Sequence, residues 1–78
     1  MSKYIATFHS HFGALLYCKA LKKQGINAKL MPAPRKAGSS CGTSVYYEHM
    51  AAVDLGGCEL DCVYCEVGNQ LNCVLRKH

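Results

Sequence analysis

The residues of this chain best suited to chemistry are thiols, and one of them sits beside cations. The run Pro32-Ala33-Pro34-Arg35-Lys36-Ala37-Gly38-Ser39-Ser40-Cys41-Gly42 has a stiffened start, two adjacent cations, small hydroxyl residues and a cysteine against a glycine. Each proline fixes its own φ and pushes the residue before it into extended backbone. The thiolate, not the thiol, is the nucleophile, and cations and exposed backbone N–H groups around a small-residue turn favour it. Cys41 is therefore a candidate nucleophile, and Arg35, Lys36, Ser39, Ser40 and Gly42 are its candidate anion-binding or thiolate-stabilising surroundings. The competing reading is an ordinary Pro/Gly/Ser loop carrying an inert cysteine.

A second set of thiols lies in Cys58-Glu59-Leu60-Asp61-Cys62-Val63-Tyr64-Cys65. Thiolates bind zinc and iron–sulfur clusters, and Cys73, His49 or His78 could supply a fourth ligand. The spacing lacks paired C-x2-C halves, and on a helix positions 58, 62 and 65 would share one face as small core residues. Its C-x3-C-x2-C spacing is similar to the cluster motif of radical S-adenosylmethionine enzymes. The chain after it is too short for the partial barrel that such an enzyme needs. Metal binding and core packing stay open as readings of these cysteines. His9 and His11 flank the expected start of the first helix, where one could face the Cys41 loop as a proton donor or anion contact.

The elements that position these groups follow from length and pattern. Seventy-eight residues make one domain, residues 1–78, with a marginal core. Hydrophobic residues are 50% and charged residues 18%, a balance that excludes disorder. No run is long enough to span a membrane as a helix. Met1–Ile5 leads straight into an alternating segment without an extended apolar stretch, so a cytoplasmic chain with reduced thiols is expected. Lys3, Lys19, Lys22, Lys23, Lys29, Arg35 and Lys36 all precede the first acid, Glu48, although the net charge is only +4. A basic half attracts anions, but three of these lysines fall on the wet face and C-terminal end of a helix. No aromatic stacking surface accompanies them, which disfavours nucleic acid. No hydrolase triad, P-loop or dinucleotide fingerprint is present.

Lys3–Phe8 alternates as a strand. Ser10 caps a helix from His11 to Gln24, whose apolar stripe is Ala14, Cys18 and Leu21 with Leu15 beside it, and Gly25 stops it. Ile26–Met31 and Thr43–His49 read as strands, Cys58–Val67 as a second helix stopped by Gly68, and Leu71–Arg76 as a last strand. The order βαββαβ predicts an α+β ferredoxin-like fold, an antiparallel sheet with two helices on one face.

Ile5–Phe8, Ala14–Gly25, Leu30-Met31-Pro32-Ala33-Pro34-Arg35 and Ser39-Ser40-Cys41-Gly42 together resemble the small bacterial family of putative selenium/sulfur carrier-like proteins. The resemblance spans residues 3–48 and is carried mainly by Pro34-Arg35 and Cys41-Gly42. Cys18 departs from the family's more usual glutamate, and Cys58, Cys62 and Cys65 replace a plainer amphipathic segment. The resemblance implies a carrier rather than an enzyme with turnover of its own. Cys41 would accept sulfur or selenium from a donor protein and hand it to an acceptor, with no cofactor required. The alternatives are a zinc or iron–sulfur module on Cys58, Cys62 and Cys65, with or without Cys73, and a partner-binding domain without chemistry. The chain's oligomeric state is left open.

Overall fold

A computed structural model of the chain describes residues 1–35 and 42–77. Strand β1 (Ser2–Phe8) leads into helix α1 (His11–Lys23), then β2 (Ala28–Pro32), β3 (Thr43–His49), β4 (Leu60–Val67) and β5 (Gln70–Arg76). The strands form one sheet in the order β2-β3-β1-β4-β5, and every neighbouring pair is antiparallel. Ser10 caps α1 as expected, its hydroxyl accepting from Gly13 N–H at 3.1 Å. Gln24 caps the helix, and Gly25 just beyond it has the left-handed φ of 80° that a C-terminal stop requires.

Helix α1 packs on β1, β2 and β3. The face of the sheet beneath it presents Tyr4, Ala6 and Phe8 from β1 and Val45 and Tyr47 from β3, which meet Ala14, Tyr17, Cys18 and Leu21 of the helix. Residue 17 lies one turn from 14 and from 21, so a 3.6-residue period includes it in the stripe. Leu15 is rotated off that stripe and is 37% exposed. Phe8 meets Tyr17 edge-to-face, with ring centroids 5.0 Å apart. The Tyr17 hydroxyl lies 3.1 Å from that of Tyr47 and donates to the Val53 carbonyl at 2.7 Å. The Val53 N–H donates back to Tyr47. Two phenols thus satisfy each other inside the core, a requirement for burying them.

The ferredoxin-like expectation fails in the second half. The described residues contain five strands and one helix, and residues 60–67, expected within a second helix, are strand β4. Two causes are visible. Val63, Tyr64 and Val67 favour extended backbone. Residues 4–8 of β1 are buried, so this central strand needs a partner on each side, and β4 supplies the second. Gly68 does not stop a helix. With Asn69 it forms a two-residue hairpin between Val67 and Gln70, and Gly68 has the φ of 60° that such a turn needs at its first position. Where a second helix would have covered the sheet, irregular residues 50–59 do so instead, with Val53, Leu55 and Cys58 against the core. Smaller corrections are confined to ends: β2 runs Ala28–Pro32 rather than Ile26–Met31, and α1 ends at Lys23.

Candidate functional site

The β2–β3 connection is held at its base by the sheet and by α1. Pro32 pairs with Thr43 as the last rung of the β2–β3 ladder. One step beyond, Ala33 N–H donates to the Gly42 carbonyl at 3.0 Å, which closes the mouth of the loop. Ser44, fully buried in β3, donates to the Met31 carbonyl at 3.2 Å and ties the two strands again. Beyond Ala33, Pro34 lines a shallow cleft together with Ile5 and Leu71. Arg35 and Gly42 are exposed, and a side chain at position 42 would meet open space among the described residues. Lys36, Ser39, Ser40 and Cys41, the core of the predicted site, lie outside the described residues.

The start of α1 abuts this mouth. His11, the first helical residue, places Nδ1 2.9 Å from Thr43 Oγ1, next in sequence to Gly42. The first helical turn contains no acid, so its unpaired N–H groups and positive dipole end are not neutralised from within the helix. Of the two histidines flagged by sequence, His11 faces the loop mouth. His9 points elsewhere: its Nε2 is 3.8 Å from Asp61 Oδ1, and its N–H donates to the Glu59 carbonyl at 3.0 Å. Thr43 was the residue the sequence did not single out. Its place beside the glycine that follows Cys41 was the available signal.

Cys58, Cys62 and Cys65 are not brought together. Cys65 pairs with Tyr4 and packs with the core below α1, and Cys58 joins that core. Cys62 pairs with Thr7 on the opposite face, because an odd separation along a strand reverses side-chain direction. The sheet therefore separates Cys62 from the other two, and the shared helical face expected for positions 58, 62 and 65 does not exist. Among the described residues no group of three or more His, Cys, Asp or Glu side chains is placed to hold a metal ion. Burial pushes the Cys58 thiol up. It also pushes Cys62 up, against the opposing effects of a Tyr64 hydrogen bond and the Arg76 charge. Cys18 is buried inside α1's core face, and Cys73 is exposed on the edge strand β5.

Among the described residues no helix is long and apolar enough to cross a membrane. No curated protein and no solved structure matches the chain. The model of one family, described as "Putative Se/S carrier protein-like", matches residues 3–55, from β1 through β3 and into the irregular segment after it. With more than half of its length matched, the chain belongs to the Putative Se/S carrier protein-like family.

Proposed function

We propose that the chain carries a sulfur or selenium atom on the thiol of Cys41 between a donor and an acceptor protein. The observation that carries this reading is the family match over residues 3–55, which contains the whole β2–β3 loop. The geometry of the loop's base supports it. The Ala33–Gly42 hydrogen bond anchors both ends of the segment beside His11 at the start of α1. The Glu59 carboxylate already meets the cap of that helix, so the cations of the loop itself, Arg35 and Lys36, are what would favour an anionic sulfur. Arg35, exposed at the start of the loop, offers a fork of donors to an anion or to an acidic partner. Of the described cysteines, Cys18, Cys58 and Cys62 are buried and Cys65 packs against the core, while the exposed Cys73 lies on β5, beyond the residues the family model matches.

The transfer needs no outside oxidant. The Cys41 thiolate attacks the outer sulfur of a donor persulfide, R–S–SH. The new bond joins Cys41 Sγ to that sulfur, the donor S–S bond breaks, and the donor leaves as its thiolate. The proton remains on the transferred sulfur or passes to the leaving thiolate. Delivery reverses these steps on an acceptor thiolate. An S–SeH donor follows the same course with selenium as the transferred atom.

Glutathione persulfide labelled in its outer sulfur tests the reading. Cleavage after Lys36 and Glu48 releases residues 37–48, in which Cys41 is the only cysteine. The expected result is one labelled sulfur on that peptide and its loss in Cys41→Ser. A Cys41→Ser chain that takes up label at the same stoichiometry would overturn the assignment.

A further inference from the structure

A second thiol site stands on β4 and β5, beyond the residues that the family model matches. On the sheet face away from α1, Cys62 lies across from Arg76, and Tyr64 across from Cys73. These four side chains form two rungs of one hairpin, separated by the Val63–Leu75 pair, whose side chains lie on the opposite face. Cys62 is buried at 2% exposure, while Cys73 is exposed with Sγ 3.6 Å from the Leu75 carbonyl. Tyr64 is hydrogen-bonded to Cys62, and the Arg76 guanidinium to Cys73. Arg76 lies near both sulfurs, and negative charge on either one would raise its pKa. An accessible sulfur, a buried sulfur on the neighbouring strand and a cation near both make a pair suited to thiol–disulfide exchange.

We propose that Cys73 and Cys62 form a thiol–disulfide exchange site that accepts a small disulfide, with Cys73 as the attacking thiol and Cys62 as the resolving thiol. Cys73 thiolate attacks one sulfur of the substrate disulfide. That S–S bond breaks, one substrate thiolate leaves, and a mixed disulfide remains on Cys73. Cys62 loses its proton to the departing thiolate or to solvent and attacks Cys73 Sγ. The second substrate thiolate leaves, and a Cys62–Cys73 bond closes. Two protein thiols have lost two electrons, and the substrate disulfide has gained them.

Diagonal residues of an antiparallel pair have Cα atoms about 7–8 Å apart, a little beyond the roughly 4.4–6.8 Å of a relaxed disulfide. The hairpin has a device for closing that gap. The register shifts between Val63 and Tyr64, leaving Val74 as an extra residue on β5, and β5 is an edge strand bonded on one side only. The bulge kinks β5 between Cys73 and Leu75, so the adjustment falls on exposed residues 72–74 while Leu75 stays against the core and the Lys77 N–H stays on the Asp61 carbonyl. A bond made under that strain opens readily, as an exchange site requires. The site does not depend on the carrier reading, because none of its residues belongs to the β2–β3 loop.

The test equilibrates the full chain and its Cys41→Ser variant in buffers of increasing oxidised-to-reduced glutathione ratio. Samples are acid-quenched, alkylated and cleaved after glutamate, which separates residues 60–66 from 67–78. Both proteins are expected to lose the Cys62 and Cys73 thiols together and to yield these two peptides joined, with fragmentation placing the bond on Cys62. Cys62→Ser should stop at a persistent glutathione adduct on Cys73. Should that buried substitution unfold the chain, exposed Cys73→Ser serves in its place and should leave Cys62 unmodified at every ratio. A wild-type chain whose Cys73 ends as the glutathione adduct, pairs with Cys65, or keeps a free thiol throughout would overturn the proposal.

Discussion

The two halves of the sheet solve the same burial problem by different means. Strands β1, β2 and β3 lie under a capped thirteen-residue helix with a dense aromatic core, and residues 1–47 carry no acid. Strands β4 and β5 hold two of the chain's five acids and three of its six cysteines. They are covered on the core side by irregular residues 50–59, and β5 is mostly exposed. The first half is a frame that fixes the ends of one loop. The second is a hairpin leaning on that frame, and its stability depends on how well the seam between them is made.

The seam is narrow and specific. Gly13, in the first turn of α1, lies against the backbone of Cys58. The Ser10 hydroxyl accepts from Gly13 N–H while donating to Glu59 Oε2 at 2.7 Å, and Glu59 itself has a φ of 53°. A methyl group at position 13 would collide with the Cys58 carbonyl oxygen, so either the helix start or residues 58–59 must move. Gly13→Ala is expected to cost about 3 kcal/mol and lower Tm by roughly 12–24 °C. Thermal unfolding measures this, and a cost below about 1 kcal/mol would show the halves to be loosely joined.

A smaller effect separates the frame's interior from its cover. Tyr17→Phe removes the hydroxyl that meets both Tyr47 and Val53, leaving a carbonyl without its donor. The expected loss is about 1–3 kcal/mol by denaturant titration. Faster amide exchange at residues 50–55 than at β3 should accompany it, whereas equal acceleration in both would mean that the cover is no weaker than the frame. The smallest effect is on pH dependence. Burial raises the Cys58 thiol above its ordinary 9.0. A raised folded pKa gives stability that is complete below the unfolded value and is lost as pH climbs through the folded one. Stability should therefore decline above about pH 9, and Cys58→Ala should make that decline shallower. An unchanged slope would remove Cys58 from the account.

The first half was legible because its cues are local. Ser10 before an apolar stripe, Gly25 after it, and alternation in residues 3–8 and 43–49 each act within a few residues, and each element formed near its expected bounds. The second half was misread because its deciding cue is distant. Whether residues 60–67 become helix or strand turns on the open side of β1, more than fifty residues earlier in the chain. One local sign was present and was read the other way: Gly68-Asn69 between two β-rich runs is a hairpin signal as much as a helix stop. The site divides likewise. Arg35 and Gly42, named from the loop pattern, are exposed at the two ends of the loop, whereas the facing pair His11 and Thr43 requires the sheet register to be known.

The contrast between frame and hairpin comes to a point in the cysteines, and one measurement addresses it directly. The chain is exposed to glutathione persulfide labelled in its outer sulfur, under conditions that keep Cys62 and Cys73 reduced, and label is counted on residues 37–48 and on residues 67–78. If the frame holds the carrier loop, label collects on Cys41 and disappears from that peptide in Cys41→Ser. Label that collects on Cys73, with Cys41 bare, would contradict the account and move the carrier function to the hairpin.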